Sequence, residues 1–314
     1  MIDNTRLLES LFRYGYFWNP ATPNALNVKQ SDLATLTAKD AVVKDALRSW
    51  QLADVNFDSL AFLMHLRAII ADGEAGPTTA AMLDVPRCPM PDFPPPEGAV
   101  FDFGDPGLNR AVESMRANAM GSGSWPSCDP ERTGVNSFRV RIDTARIPST
   151  VQGYFAKALA AVVACYAEVG CAVRYLDGET GDCEIEKRFE SLSGSVIGWN
   201  EFPQPNTCNQ TISGRLDTGY APSDYRIWAN LEAHETGHGV GLQHTRGHIM
   251  NPSILLVWPL SWLGGPSEAS MRRYFGGVPI PVPGDPDPQP PPQPGDYNGV
   301  FTYQGKLFKI KVYE

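Results

Sequence analysis

A chain of 314 residues, 42% apolar and 19% charged, can bury the cores of one domain of ordinary enzyme size and a smaller one. Its formal charge of -9, with no run of Lys and Arg to offset it, repels phosphate backbones and argues against nucleic acid as a partner. The longest apolar stretches, around 156–169 and 254–263, are interrupted well before about 18 residues accumulate, so no membrane span is expected.

The opening MIDNTRLLES has neither the basic nor the apolar region of a secretory signal, so any export uses another route or a removed peptide, and an extracellular place or release at lysis is expected. Residues 3–17, 37–53 and 58–72 read as amphipathic helices, the second opened by Thr37 with Asp40 and the third by Asp58, with Gly73 as its stop. Leu60, Leu63, Leu66 and Ile70 recur at helical spacing, so an all-α three-helix unit is expected over 1–86. Five prolines lie between Cys88 and Pro96, and the Gly-, Ser- and Pro-rich text to 134 predicts an exposed connection over 93–134 that proteases would find.

A second unit is expected over 135–278. FRVRI at 138–142 alternates like a strand, Val151 to Val169 reads as one long helix, and CAVRYL and CEIEKRF read as further strands. A helix from about Asp224 to Val240, capped by Ser223 and stopped by Gly241, follows an irregular loop. Nine prolines over 279–295 predict an extended linker (279–296), and VFTY with KLFKIKVY predicts a C-terminal hairpin over 297–314.

The chemistry concentrates in HETGHGVGLQH at 234–244. His234 and His238 stand one helical turn apart, so both imidazoles can reach one ion. Gly241 permits the sharp turn that brings His244 to the same metal. Three nitrogens leave the fourth position of a zinc ion to water, and Glu235 beside them is placed to act as general base on that water. Two plainer readings stand beside this one. The histidines are unrelated surface residues, or the zinc is structural and non-catalytic, although a structural site normally has four protein ligands.

The same residues fit HExxHxxGxxH, and the chain resembles the metzincin zinc endopeptidases, with His248 to Pro252 resembling their Met-turn. The resemblance implies an α+β fold of a twisted sheet and long helices, with Met250 as the hydrophobic floor beneath the metal. Within that group GHGVGLQH, the IMNP turn and DGEAGPTTAAMLDVPRCPMPDF at 72–93 are similar to matrixins, in which a peptidoglycan-binding-like prodomain leads into a cysteine switch. Pro86, Arg87, Cys88, Pro91 and Asp92 match that switch (87–92), and Pro89 departs from it where the family has glycine.

The resemblance implies a latent endopeptidase acting on protein or peptide substrates, its fourth metal position filled by the Cys88 sulfur, with Arg87 and Asp92 closing the strap as an ion pair. A disulfide or free thiol is the alternative for Cys88 among the six cysteines. Matrixins carry a second, histidine-bound zinc, but the histidines here are only 65, 234, 238, 244 and 248, so one zinc is expected. Asp177, Glu179 and Asp182 are candidates for calcium, although a solvated turn explains them as well. Ile254 and Leu255 are weak candidates for the specificity pocket. A cell-wall-binding lysis factor that acts on peptidoglycan is the rival function, and the C-terminal hairpin as an anchor in a larger particle is a third.

Overall fold

The computed structural model describes residues 3–22, 28–53, 72–120, 137–178, 181–192, 194–204, 210–253, 257–280, 298–303 and 306–311. Asp3 caps helix α1 (Asn4–Arg13) by accepting from Thr5 N, and the helix buries Leu7, Leu8, Leu11 and Phe12 on one face. Helix α2 (Ala41–Ala53) buries Val43, Ala46, Leu47 and Trp50, a stripe at the spacing one face of a helix requires. It starts at Ala41 rather than Thr37, because the Asp40 carboxylate accepts from both Thr37 N and Thr37 Oγ1 and folds 37–40 into a turn ahead of the helix. A short helix α3 (Pro77–Met82), with proline in its first turn, brings Met82 and Leu83 into the same core. The third helix expected over 58–72 lies, apart from residue 72, outside the described residues.

Part of the expected exposed connection is corrected by a 15-residue helix, α4 (Pro106–Met120), while 121–134 lie outside the described residues. Asp105 Oδ1 takes the N–H groups of Gly107 and Leu108, Pro106 occupies the first turn, and Leu108, Ala111, Val112 and Met115 are buried. The Asp-Pro-Gly run that resembles a turn is a helix start.

The larger unit is an α/β arrangement around a five-stranded mixed sheet. Strands β1 (Ser137–Ile142), β2 (Ala172–Asp177), β3 (Ile185–Glu190), β4 (Gly198–Asn200) and β5 (Ile212–Asp217) lie in the order β2-β1-β3-β5-β4. The first four in that order are parallel, and β4 closes one edge antiparallel to β5. The expected helix 151–169 is two pieces, α5 (Ser149–Gln152) and α6 (Phe155–Ala167), broken at Gly153 and Tyr154.

Helix α6 packs on β2 and against α7 (Tyr225–Gly239), which crosses β4 and β5. Asp224 rather than Ser223 caps α7, its Oδ1 accepting from Arg226 N at 2.9 Å. Trp228 of α7 lies fully buried between Phe155 and Phe189, which ties the helix to both α6 and the sheet. Each buried aliphatic or phenylalanine side chain in this core contributes about 1.5–3 kcal/mol. Helix α8 (Glu268–Phe275) completes the core with Met271 and Phe275. Strands β6 (Asn298–Tyr303) and β7 (Lys306–Lys311) pair as the expected antiparallel ladder. Among the described residues no helix is long and apolar enough to cross a membrane.

Candidate metal centre

Helix α7 is buried without a break from Trp228 to Gly239, and it carries His234, Glu235 and His238 inside the protein. Gly241, at φ +95°, turns the chain in the left-handed region that favours glycine, and His244 returns towards the helix. The three rings stand with centroids 4.9, 4.9 and 5.3 Å apart. The ligand atoms of Cys88, His234, His238 and His244 all lie within 4.8 Å of one another, so this buried group could hold a metal ion.

The tautomers follow from the partners. His234 Nδ1 meets Ile249 O at 2.7 Å, His238 Nδ1 meets Leu242 O at 2.7 Å, and His244 Nδ1 meets Asp92 Oδ1 at 2.8 Å. Carbonyl and ionised carboxylate oxygens only accept, so each Nδ1 donates and each Nε2 keeps a lone pair. Burial lowers the pKa of all three rings and keeps them neutral, the form that ligates. The Nε2 atoms of His234 and His244 are buried without a hydrogen-bond partner, and His238 Nε2 lies 3.5 Å from Cys88 Sγ. Buried lone pairs with no donor are costly unless something electrophilic meets them, and three imidazoles with one sulfur are a set that suits a borderline-soft divalent cation.

Glu235 Oε2 lies 3.9 Å from Cys88 Sγ, and its Oε1 is buried without a partner beside Gly198 of β4, where an added Cβ would stand 3.2 Å from it. Burial pushes the Glu235 carboxyl up to about 8 and, with Glu235 beside it, holds the Cys88 thiol well above its ordinary range. A cation among the imidazoles would act on both in the opposite direction. An added Cβ on Gly237 would collide with the Met250 sulfur, so α7 and the chain at 250 touch there without a side chain between them.

The segment 87–92 is held against the centre by main-chain contacts. Arg87 bridges Val196 in the parallel sense and Ser253 in the antiparallel sense, with Arg87 N donating to Ser195 O and Cys88 N to Pro252 O. Arg87 Nη2 meets Asp92 Oδ1 at 2.8 Å, the ion pair expected from the sequence. Burial opposes ionisation of Asp92, but Arg87, His244 and Tyr16 together outweigh it and hold its pKa below the ordinary range.

Several contributors carry no motif in the sequence. The stripe Glu232, Thr236, Gly239 faces the sheet, where Lys187 of β3 takes a core position between Ile185 and Phe189. Lys187 Nζ donates to Glu232 Oε2 at 2.9 Å and to Thr236 Oγ1 at 2.6 Å, and Tyr175 OH donates to Glu232 Oε1 at 2.9 Å. The signal available was a lysine at an inward strand position. Helix α4 joins Cys88, Met90, Val196, Trp199 and Phe202 in one apolar cluster, and Ser114 Oγ accepts from Phe202 N at 2.8 Å.

Other candidates stand apart from the centre. His248 packs against Gly265 and is not among the four ligand atoms. Asp177 Oδ1 accepts from Thr144 N and Oγ1, while Glu179 lies outside the described residues, as do His65, Cys128, Cys208, Ile254 and Leu255. Cys165, Cys171 and Cys183 are buried thiols, and Cys88 is in no disulfide. No family model matches this chain, and no curated protein is significantly similar to it.

Proposed function

We propose that the chain is the latent form of a single-zinc endopeptidase of the metzincin type, similar to matrixins, held inactive by its own Cys88. One observation carries the reading: three buried, neutral imidazoles and the Cys88 sulfur bring their ligand atoms within 4.8 Å of one another, with Glu235 Oε2 3.9 Å from that sulfur. When bound there, zinc would supply Lewis acidity towards a scissile carbonyl and lower the pKa of a water to about 7.

The residues do the rest. His234, His238 and His244 would hold the ion, and Glu235, facing the space now taken by the sulfur, would accept a proton and later deliver it to the leaving amine. Asp217 N donates to Ile197 O and Glu201 N to Ser213 O, so by the two-residue alternation Gly198, Asn200 and Phe202 turn their main-chain groups to the open edge of β4. That edge suits an extended peptide bound antiparallel. In the present state it is not free. The strap runs parallel to residue 196, and Phe202 N is engaged by Ser114, so both the metal position and part of the edge are occupied by the chain itself.

Glu235→Gln tests this reading. Zinc content should remain at one per chain while cleavage of casein, after proteolytic removal of the N-terminal segment, falls by at least about a hundredfold. Normal turnover by the variant refutes the general-base role, and release of muropeptides with casein spared supports a wall enzyme instead.

A further inference from the structure

Two of the three imidazoles are oriented from within their own unit. His234 donates to Ile249 O and His238 to Leu242 O, main-chain carbonyls 15 and 4 residues along the chain from the histidines. His244 differs: its Nδ1 donates to Asp92 Oδ1 at 2.8 Å, across 152 residues of sequence. Both side chains are nearly inaccessible, at 3% and 10% exposure.

Asp92 is itself fixed from the N-terminal helical unit. Tyr16 OH donates to its Oδ2 at 2.5 Å, its own N–H donates to Tyr14 O at 2.9 Å, and the Arg87 guanidinium that pairs with it lies 3.7 Å over the Tyr14 ring. Gly15, at φ +82°, lets the chain pass so close to Phe93 that an added Cβ would meet the Phe93 carbonyl at 2.6 Å. The loop at 14–16 is therefore a seat shaped for 87–93, and Asp92 projects from that seat onto the third ring.

We propose that Asp92 is a positioning residue of the metal centre, supplied by the same segment that carries the blocking cysteine. This rests on the reading of the three histidines as metal ligands. Asp92 sets the tautomer and ring direction of His244, so the N-terminal segment touches the site twice, through a sulfur at the metal position and through a carboxylate behind one ligand. Displacing the strap removes both contacts together. The uncut chain then holds its metal more tightly than loss of the sulfur alone accounts for, and His244 must find a new acceptor, or turn, when the segment leaves.

The test is metal affinity in the full-length chain, measured by chelator competition with Zn2+ and by the visible spectrum of bound Co2+. In a Cys88→Ser background, which removes the sulfur, adding Asp92→Asn should weaken metal binding by about 10–100-fold, the usual cost of losing an outer partner of a ligating histidine. Asp92→Glu, which keeps a carboxylate, should recover part of that loss. Arg87→Met in the same background breaks the ion pair but leaves the contact to His244, and should cost much less than Asp92→Asn. Equal losses for Arg87→Met and Asp92→Asn would make Asp92 merely part of the strap, and unchanged affinity in a folded Asp92→Asn chain would overturn the proposal. If Asp92→Asn does not fold, histidine-selective NMR of the unsubstituted chain decides: a slowly exchanging Nδ1 proton on His244 is expected, and a rapidly exchanging one refutes the contact. Failure of the Cys88→Ser chain to bind metal at all would refute the ligand reading beneath it. Tight binding without proteolysis would refute only the enzyme reading.

Discussion

The buried Lys187–Glu232 pair should behave as a coupled unit whose halves cannot be removed singly. Both side chains are inaccessible, and Lys187 Nζ, Glu232 and Thr236 close a triangle of hydrogen bonds with Tyr175 as a fourth member. Burial lowers the Lys187 pKa and Glu232 opposes that, so the cation is held in place by its partner. Lys187→Met leaves the Glu232 carboxylate with two hydroxyl donors and no cation, a loss of about 3–5 kcal/mol. Against a total stability of about 5–15 kcal/mol, this is a large fraction. Glu232→Gln strands the ammonium instead, at a similar cost. The double variant keeps the glutamine oxygen as acceptor for Tyr175 and Thr236 and buries no net charge, so it should recover at least about 2 kcal/mol of the summed losses. Urea unfolding followed by tryptophan fluorescence, with m values compared, measures all four corners of the cycle. Additivity within about 0.5 kcal/mol would refute the coupling.

Glu168, half-buried, accepts from Ser261 Oγ at 2.5 Å, and burial nevertheless raises its pKa above the ordinary glutamate range. A carboxyl whose folded pKa exceeds the unfolded one contributes stability below the unfolded value and loses it as pH rises to the folded value, so Glu168→Gln should raise Tm at pH 7 and leave it unchanged near pH 3.5. An equal gain at both pH values would refute the ionisation argument. For latency, Cys88→Ser in the uncut chain should cleave short peptides but remain slow on casein, and a cut beyond α4 should raise casein hydrolysis by at least about fivefold, the worth of the Ser114–Phe202 bond alone at about 1 kcal/mol. Full casein activity in the uncut Cys88→Ser chain would remove α4 from the obstruction.

The convergence of His234, His238 and His244 was legible in the sequence because it is nearly local, whereas Cys88, 150 residues from His238, was expected there only from the family resemblance of its segment. Helical spacing places two histidines, and one left-handed glycine returns the third. What binds the 87–92 segment was not legible. Tyr14, Tyr16 and Asp92 meet across more than 70 residues, and nothing in the order of residues announces that Asp92 would face a histidine rather than Arg87 alone. Helix α4 was missed for another reason: Asp105-Pro106-Gly107 is turn-forming text that is equally a cap and first turn, and only the apolar spacing 108, 111, 112, 115 separates the two. Lys187 was hidden because a lysine in a strand is ordinarily solvated, and its burial becomes explicable only once Glu232 is seen to face it from a helix 45 residues away. The parts that periodicity could not reach are therefore long-range polar contacts, each satisfying a buried donor or charge that its own element leaves without a partner, and these contacts join the N-terminal segment and the sheet to the metal centre.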